Sequence, residues 1–165
     1  MTEDVTGMEK IENNNLIKIG IVVNDIEAAA KKYAELFGIP VPPFSIPDPN
    51  DEVTHTEQNY TWYRGEHVPA RTKFANLQMG PVTVELLEPY DEASPWNEFK
   101  QKHGQGVHFI TFTINGFEQH IDFLESKGLP LTHKGEYGSG RYSYFDSENV
   151  LGVVLGLQEL GKKQD

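Results

Sequence analysis

The chain has 165 residues, of which 38% are hydrophobic and 11% aromatic, enough apolar material to bury the core of one compact domain. Its formal net charge of −11 argues against a nucleic-acid partner and against an anionic membrane surface, because both require a basic face. The absence of cysteine excludes disulfides and thiolate metal sites.

No apolar run approaches the roughly 18–20 residues that a membrane span needs, and the polar, acidic start lacks the apolar core of a signal peptide. We therefore expect a cytoplasmic protein without a membrane partner. Residues 1–15 and 161–165 are predicted to be mobile tails, because they are polar and lie at the chain ends.

The first elements follow directly from the periodicity of the apolar residues. A strand is predicted over Leu16–Val23 and an amphipathic helix over Asp25–Phe37. Asp25 can cap the start of the helix, and Gly38 can end it. The proline-rich stretch that follows, Ile39–Pro69, is predicted to be mostly loop.

The remaining elements follow in chain order, and each half reads as β-α-β-β-β. Ser94 is a predicted N-cap because a proline follows it at the first helical position. The predicted elements are strands Thr61–Arg64, Arg71–Met79 and Val82–Glu88, helix Trp96–His103, strand Val107–Ile114, helix Phe117–Lys127, a strand near Leu131–Lys134, loop Gly135–Gly140, and strands Arg141–Phe145 and Leu151–Gln158.

The two halves also repeat each other in sequence. Each contains an apolar strand, a turn at Asn, an amphipathic helix and then Gly-x-Pro, and identical residues recur at one constant spacing: Ile19 and Ile110, Asn24 and Asn115, Glu27 and Glu118. A repeated strand–helix unit indicates two similar modules. The predicted fold is α+β, with two βαβββ modules forming a cupped mixed sheet around a central cavity. The predicted organisation is a first module over 16–89, a connecting helix over 90–105 and a second module over 106–160.

Alternation along the strands assigns one face to the helices and the other to the cavity. The predicted cavity face carries Lys18, Thr83, Glu85, Phe109, Thr111, Val154 and Gly156. Lys18 and Glu85 are ionisable residues inside otherwise apolar strands, which is costly unless they are paired. Each could instead be a strand-end residue that reaches solvent.

Further candidate ligand-binding residues lie outside these strand positions. Trp62, Tyr63 and Arg64 could form a ligand wall or simply an edge strand. Arg141 and Tyr144 follow a glycine-rich stretch that could contact an anionic group or be an ordinary loop. Four histidines are predicted to be solvated or on helix surfaces: His55, His103, His120 and His133.

Several motifs together resemble the vicinal oxygen chelate superfamily, which includes glyoxalases, methylmalonyl-CoA epimerases, extradiol dioxygenases and bleomycin-resistance proteins. The motifs are the paired modules, TVELLEP over 83–89, GQGVHFITFTI over 104–114 and YFDSENVLGVVLGL over 144–157. The resemblance covers about Leu16 to Leu160. The sequence YRGE over 63–66, followed by VELLEP, is most similar to the epimerase-like and lactoylglutathione-lyase-like branch.

The resemblance implies one divalent metal ion held by four inward-facing side chains. The corresponding positions of this chain are Lys18, Glu85, Phe109 and Gly156, so one of the four carries a donor. His108 lies next to the third position, but a shift of one residue turns a side chain to the opposite face, so it is predicted to face the core. We therefore predict no metal ligands and no cofactor.

These substitutions leave three functions open. The first is a glyoxalase-like protein that binds a small organic molecule in the cup without a metal, Lys18 supplying a tethered ammonium beside Glu85. The alternative is a metal-independent isomerase, epimerase or lyase acting on a carbonyl compound, with Glu85 and Lys18 as catalytic residues. A metal-dependent epimerase or lactoylglutathione lyase ranks lowest. A homodimer is expected, because modules of this kind commonly pair across subunits.

Overall fold

In the computed structural model, which describes residues 7–162, the chain forms nine strands and four helices. The strands are β1 (Leu16–Val22), β2 (Asn59–Tyr63), β3 (Glu66–His67), β4 (Thr72–Met79), β5 (Val82–Pro89), β6 (Gly106–Thr113), β7 (Leu131–Tyr137), β8 (Gly140–Phe145) and β9 (Val154–Leu160). The helices are α1 (Ile26–Phe37), α2 (Pro95–His103), α3 (Phe117–Ser126) and α4 (Glu148–Leu151). The predicted α+β class is confirmed. Within the described residues, every helix is too short or too polar to cross a bilayer.

The chain divides into two compact units. The N-terminal unit comprises Lys18–Val53 and Pro69–Phe109, and the C-terminal unit comprises residues 7–17, 54–68 and 110–162. In the N-terminal unit, β1 pairs in parallel with β5, which pairs antiparallel with β4. In the C-terminal unit, the antiparallel strands run in the order β3-β2-β7-β8-β9. Strand β2, which the sequence analysis assigned to the first module, thus pairs with a strand of the second.

The helix ends form where the sequence analysis placed them. The Asp25 carboxylate accepts a hydrogen bond from the backbone N–H of Ala28 at 3.0 Å, and Gly38 ends α1 with φ 64°. Ser94 caps α2 in the same way, with Pro95 as its first helical residue. These caps need only neighbouring residues, so they are readable from the sequence.

The internal repeat extends to a pair of glutamates that support the two long helices. Glu88 on β5 accepts from the first N–H of α1, and Glu159 on β9 accepts from the N–H groups of Gly116 and Phe117 at the start of α3. Each glutamate is held by a cation opposite it on the next strand, Lys73 or Arg141. A carboxylate at a helix N-terminus also interacts favourably with the helix dipole.

Each unit has its own apolar core beneath its long helix. The core of the N-terminal unit is formed by Val23, Ile26, Ala30, Ala75, Leu77 and Leu86. The core of the C-terminal unit is formed by Ile114, Phe117, Ile121, Phe123, Leu124, Phe145, Leu155 and Leu157. Five residues of these cores lie at positions that alternation assigned to the helix side: Val23, Leu86, Ile114, Leu155 and Leu157.

Strand β9 and the N-terminal segment differ from the sequence-based prediction. Strand β9 begins at Val154 rather than Leu151, because Glu148–Leu151 form the short helix α4, which Gly152 ends with φ 81°. Part of the predicted N-terminal tail is packed, since the Glu12 carboxylate accepts from Asn115 N at 2.6 Å. This hydrogen bond lowers the pKa of Glu12. The rest of that predicted tail, residues 1–6, and residues 163–165 lie outside the described residues.

Candidate functional site

The two ionisable residues of the predicted cavity face form an ion pair in the N-terminal unit. The parallel register of β1 and β5 places Lys18 opposite Thr83 and Gly20 opposite Glu85, so that these side chains share one face. Lys18 Nζ lies 3.3 Å from Glu85 Oε2, and the two side chains are 22% and 14% exposed. The pairing that the sequence analysis required of Lys18 and Glu85 is thus present, and neither residue is a solvated strand end.

Phe109 fills the space beside this pair on the same face. A Cβ built on Gly20 would lie 2.1 Å from Phe109 Cε1, so the ring lies directly over the bare backbone of Gly20. Phe109 is almost completely buried. Alternation then turns its neighbour His108 to the opposite face, as predicted.

The residues at the four positions that the resemblance assigns to metal ligands do not fit a divalent ion. A protonated ammonium has no lone pair to give, and the side chains of phenylalanine and glycine contain no donor atom. Glu85 alone supplies oxygen ligands. Within residues 7–162, moreover, no group of three or more His, Asp or Glu side chains is arranged to hold a metal. The donor set at these positions departs from that of the metal-dependent members of the superfamily.

His108 packs against helix α2 instead of the ion pair. Its ring centroid lies 4.8 Å from that of Phe99, and the side chain is buried. Burial lowers the pKa of His108 to about 3, with a smaller contribution from the nearby charge of His103. His108 is therefore a neutral core residue at physiological pH.

This burial predicts an acid-sensitive stability. The pKa of His108 is about 3 in the folded protein and near 6.5 when unfolded. The contribution of the neutral imidazole to the free energy of unfolding is therefore complete above pH 6.5 and is lost as the pH falls towards 3. We expect the free energy of unfolding to fall less steeply over this range in His108→Phe than in the parent protein. Urea denaturation at a series of pH values measures the slopes, with the exposed His103→Phe as control. Equal slopes for all three proteins would refute the assignment.

Three predicted ligand-binding residues meet on one face of the C-terminal unit. A Cβ built on Gly156 would lie 2.9 Å from Thr111 Oγ1 and 3.3 Å from Tyr144 Cδ1. Thr111 and Tyr144 are both buried. The missing side chain at Gly156 is therefore what allows these two to approach the backbone of β9. Thr83, in the N-terminal unit, instead donates its hydroxyl to Gln78 Oε1 at 3.0 Å.

The predicted aromatic wall does not form on one face, because neighbouring residues of β2 point to opposite faces of the sheet. Tyr63 lies opposite His133 of β7, while Trp62 lies opposite Lys134 and so points to the other face. Arg64 lies in the turn between β2 and β3, with φ 46°, and its Nε donates to Tyr63 Oη at 3.2 Å. Of the three, Tyr63 thus shares a face with Tyr144, and Trp62 does not.

Arg141 occupies a different environment from the one predicted. Strand β7 continues to Tyr137, so the predicted loop Gly135–Gly140 shrinks to a tight turn. Arg141 lies in a strand, as predicted, but opposite Glu136 of β7 rather than beside an open loop. Its Nε donates to Glu136 Oε2 at 2.7 Å, its Nη1 to Glu159, and its Nη2 to the carbonyl of Gly161. The hydrogen bond to Glu136 raises the pKa of the guanidinium further. The geometry favours a structural role for Arg141 rather than ligand binding.

Two histidines predicted to be solvated are in fact buried. His120 is 1% exposed, with Nδ1 2.8 Å from the Gly116 carbonyl oxygen and Nε2 accepting from the N–H of Glu12. His133 is 0% exposed, and its Nε2 lies 2.8 Å from Tyr142 Oη. Those two predictions were wrong. Alternation within β7 does not identify the neighbouring strands that bury His133, so the sequence pattern carried no signal for its burial.

The chain is similar to known proteins in sequence and in structure. A model of the Glyoxalase/Bleomycin resistance protein/Dioxygenase superfamily matches residues 18–145. The protein YqjC of Bacillus subtilis (strain 168) is 29% identical over 150 residues, which cover 88% of this chain and 92% of YqjC. A hypothetical protein from Bacillus halodurans C-125 has a similar structure, with a TM-score of 0.62 and 22% identity over 93% of this chain and 99% of its own. Methylmalonyl-CoA epimerase from Mycobacterium tuberculosis has a TM-score of 0.60, with 19% identity over 94% of this chain and 95% of its own.

Proposed function

Because the chain belongs to the Glyoxalase/Bleomycin resistance protein/Dioxygenase superfamily, we propose that it binds a small organic molecule without a divalent metal, with Lys18 and Glu85 as the polar centre. The observation that carries the proposal is the 3.3 Å ion pair between Lys18 Nζ and Glu85 Oε2. A tethered ammonium stands at one of the positions where metal-dependent relatives place a ligand, and Glu85 is the carboxylate it neutralises.

The chemistry of the pair defines the ligand class. An ammonium has three N–H donors, and the Glu85 carboxylate accepts one of them. Lys18 can therefore donate to a carbonyl or carboxylate oxygen while it remains paired with Glu85. Because the pair is mostly shielded from water, such a charge-assisted hydrogen bond is stronger than one at an exposed surface. A small carbonyl compound or organic acid is the ligand that fits.

Two substitutions test this proposal. We expect native mass spectrometry of the purified protein to show a co-purified small molecule, and elemental analysis to show no stoichiometric divalent metal. Lys18→Met should weaken binding of that molecule about 10- to 100-fold, the effect of losing a hydrogen bond to a charged group. The matched control is Lys73→Met, which breaks the Lys73–Glu88 pair elsewhere in the same unit and should leave affinity unchanged.

Two outcomes would contradict the proposed binding function. A stoichiometric divalent ion that disappears in Glu85→Gln would show that the carboxylate is a metal ligand and would overturn the proposal. Equal affinities of the parent protein, Lys18→Met and Lys73→Met would show that the ammonium does not contact the ligand.

The second candidate is a metal-independent isomerase or epimerase, which is favoured by the structural similarity to methylmalonyl-CoA epimerases. Glu85 would remove a proton from the carbon next to a carbonyl, and Lys18 would donate a hydrogen bond to the developing enolate oxygen. Incubation of methylmalonyl-CoA in D₂O with chelator present distinguishes the two candidates. Deuterium incorporation that Glu85→Gln abolishes supports the enzyme, and unchanged substrate supports the binding protein. Turnover that the chelator abolishes would favour the metal-dependent enzyme.

A further inference from the structure

The C-terminal unit contains a buried histidine bonded to a tyrosine, which the proposed function does not use. His133 Nε2 lies 2.8 Å from Tyr142 Oη, and the imidazole is completely buried. Tyr142 itself is half-buried. We call these two residues the His133–Tyr142 pair.

Strand register places the pair within a cluster of aromatic rings. His133 lies opposite Tyr63 on β2 and opposite Tyr144 on β8, and Gly135 lies opposite Tyr142. The ring centroid of His133 is 5.2 Å from that of Tyr142 and 5.4 Å from that of Tyr144. The alternation that brings these rings to one face turns Phe145 to the opposite face, where it packs in the core beneath α3.

A glycine in the middle of β7 makes room for the phenol. A Cβ built on Gly135 would lie 2.4 Å from Tyr142 Cε1 and 2.9 Å from its hydroxyl oxygen. Glycine weakens a strand interior, and the conformation here is one that other residues adopt, so the reason for glycine is space and not backbone freedom. The ring of Tyr142 thus lies across the backbone of Gly135, with its hydroxyl against the imidazole of His133.

The apolar core does not account for this arrangement. The core of the C-terminal unit is formed on the other face of the strands, by residues without a titratable group. A histidine and its phenol partner instead lie on the same face as Thr111 and Gly156. Burying a polar pair costs desolvation free energy. The cost points to a use for the hydrogen-bonding chemistry of the pair.

The pair can exchange the roles of donor and acceptor. With the proton on Nε2, the imidazole donates to Tyr142, and the phenol O–H can turn to an oxygen atom of a ligand. With the proton on Nδ1, the phenol donates to the imidazole, and its oxygen can accept from a ligand hydroxyl. This flexibility suits a ligand oxygen that itself gains or loses a proton, as in an enol or a phenol.

We propose that Tyr142, positioned by His133, binds the oxygen atom of a planar enol or phenol through a hydrogen bond. Tyr142 contacts the ligand, and His133 acts through Tyr142. The aromatic surroundings match a conjugated ligand, because the faces and edges of aromatic rings pack on planar groups. The site shares no residue with Lys18 and Glu85, so either proposal can fail without the other.

The test uses 4-nitrophenol, whose absorbance reports on hydrogen bonding at its oxygen, as the probe with the full chain. We expect saturable binding with a shift of the absorbance band, and an affinity about tenfold lower in Tyr142→Phe, which keeps the ring and removes the hydroxyl. The control is Tyr60→Phe, since Tyr60 is a phenol on the opposite face of β2 and should leave the affinity unchanged. His133→Gln should change the shift of the absorbance band of the bound probe, because the Tyr142 hydroxyl loses its imidazole partner, which a purely structural role would not do.

Three results would overturn the proposal. They are no saturable binding of the probe by the parent protein, equal affinities of Tyr142→Phe and Tyr60→Phe, and an unchanged absorbance band of the bound probe in His133→Gln. Should Tyr142→Phe fail to fold, the ¹⁵N chemical shifts of His133 in the parent protein decide the question. They must change on addition of 4-nitrophenol, and unchanged shifts would refute the site.

Discussion

Replacing Arg141 by methionine is expected to lower the free energy of unfolding by about 3–5 kcal/mol, because it leaves a buried carboxylate without its cation. Arg141 and Glu136 are 3% and 2% exposed, with 2.7 Å between Nε and Oε2. Arg141 also holds Glu159, which accepts from the backbone at the start of α3. The substitution therefore affects both a buried charge and the support of a helix. Urea denaturation at neutral pH measures the loss.

Two further variants make this prediction specific. Lys32→Met breaks the Lys32–Glu35 pair, whose side chains are 64% and 70% exposed, and should cost no more than about 0.5 kcal/mol. Arg141→Met combined with Glu136→Leu should recover part of the loss, because the second change removes the stranded carboxylate. If Arg141→Met were as stable as Lys32→Met, the buried network would not be a stabilising feature.

Replacing Gly20 by alanine is expected to destabilise the protein by about 1–3 kcal/mol through overpacking. The added Cβ would lie 2.1 Å from Cε1 and 2.3 Å from Cζ of Phe109, far inside contact distance. Because the Phe109 ring is buried, it can move only if its neighbours move as well. Thermal and urea denaturation of the variant measure the loss.

The rescue of this variant distinguishes steric conflict from a backbone effect. In the background Phe109→Leu, which shortens the side chain, Gly20→Ala should cost markedly less than it does alone, giving a coupling energy of about 1 kcal/mol or more. Strictly additive effects would show that the glycine is needed for another reason. A positive result would also establish that Phe109 packs directly on Gly20 in solution.

The sequence predicted the fold class and much of the first half of the candidate site. The caps at Asp25 and Ser94 depend on residues within a single turn, so the pattern alone identifies them. Lys18 and Glu85 were placed on one face by alternation in two strands, and the parallel pairing of β1 with β5 brings them together. The superfamily was indicated by motifs that are continuous in the chain, and the match over residues 18–145 confirms it.

Other features depended on partners that are distant in sequence. Alternation separates the faces of a strand, but it does not say which strand becomes its neighbour. Strand β2 pairs with β7, and this pairing brings Tyr63 to His133 and separates it from Trp62. The predicted strand ended at Lys134 and the rest of β7 was predicted to be a loop, so the partner of Arg141, Glu136, could not be recognised.

The sequence by itself determined what local geometry and composition fix: two related strand–helix modules, their capped helices and the faces of their strands. Only the tertiary structure decided that Arg141 is committed to a buried ion-pair network and that His133, predicted to be solvated, is bonded to Tyr142. The physical reason is that burial is a property of the assembled strands. The free energy of a charged or polar side chain depends on which groups the fold places around it, and those groups lie on other strands.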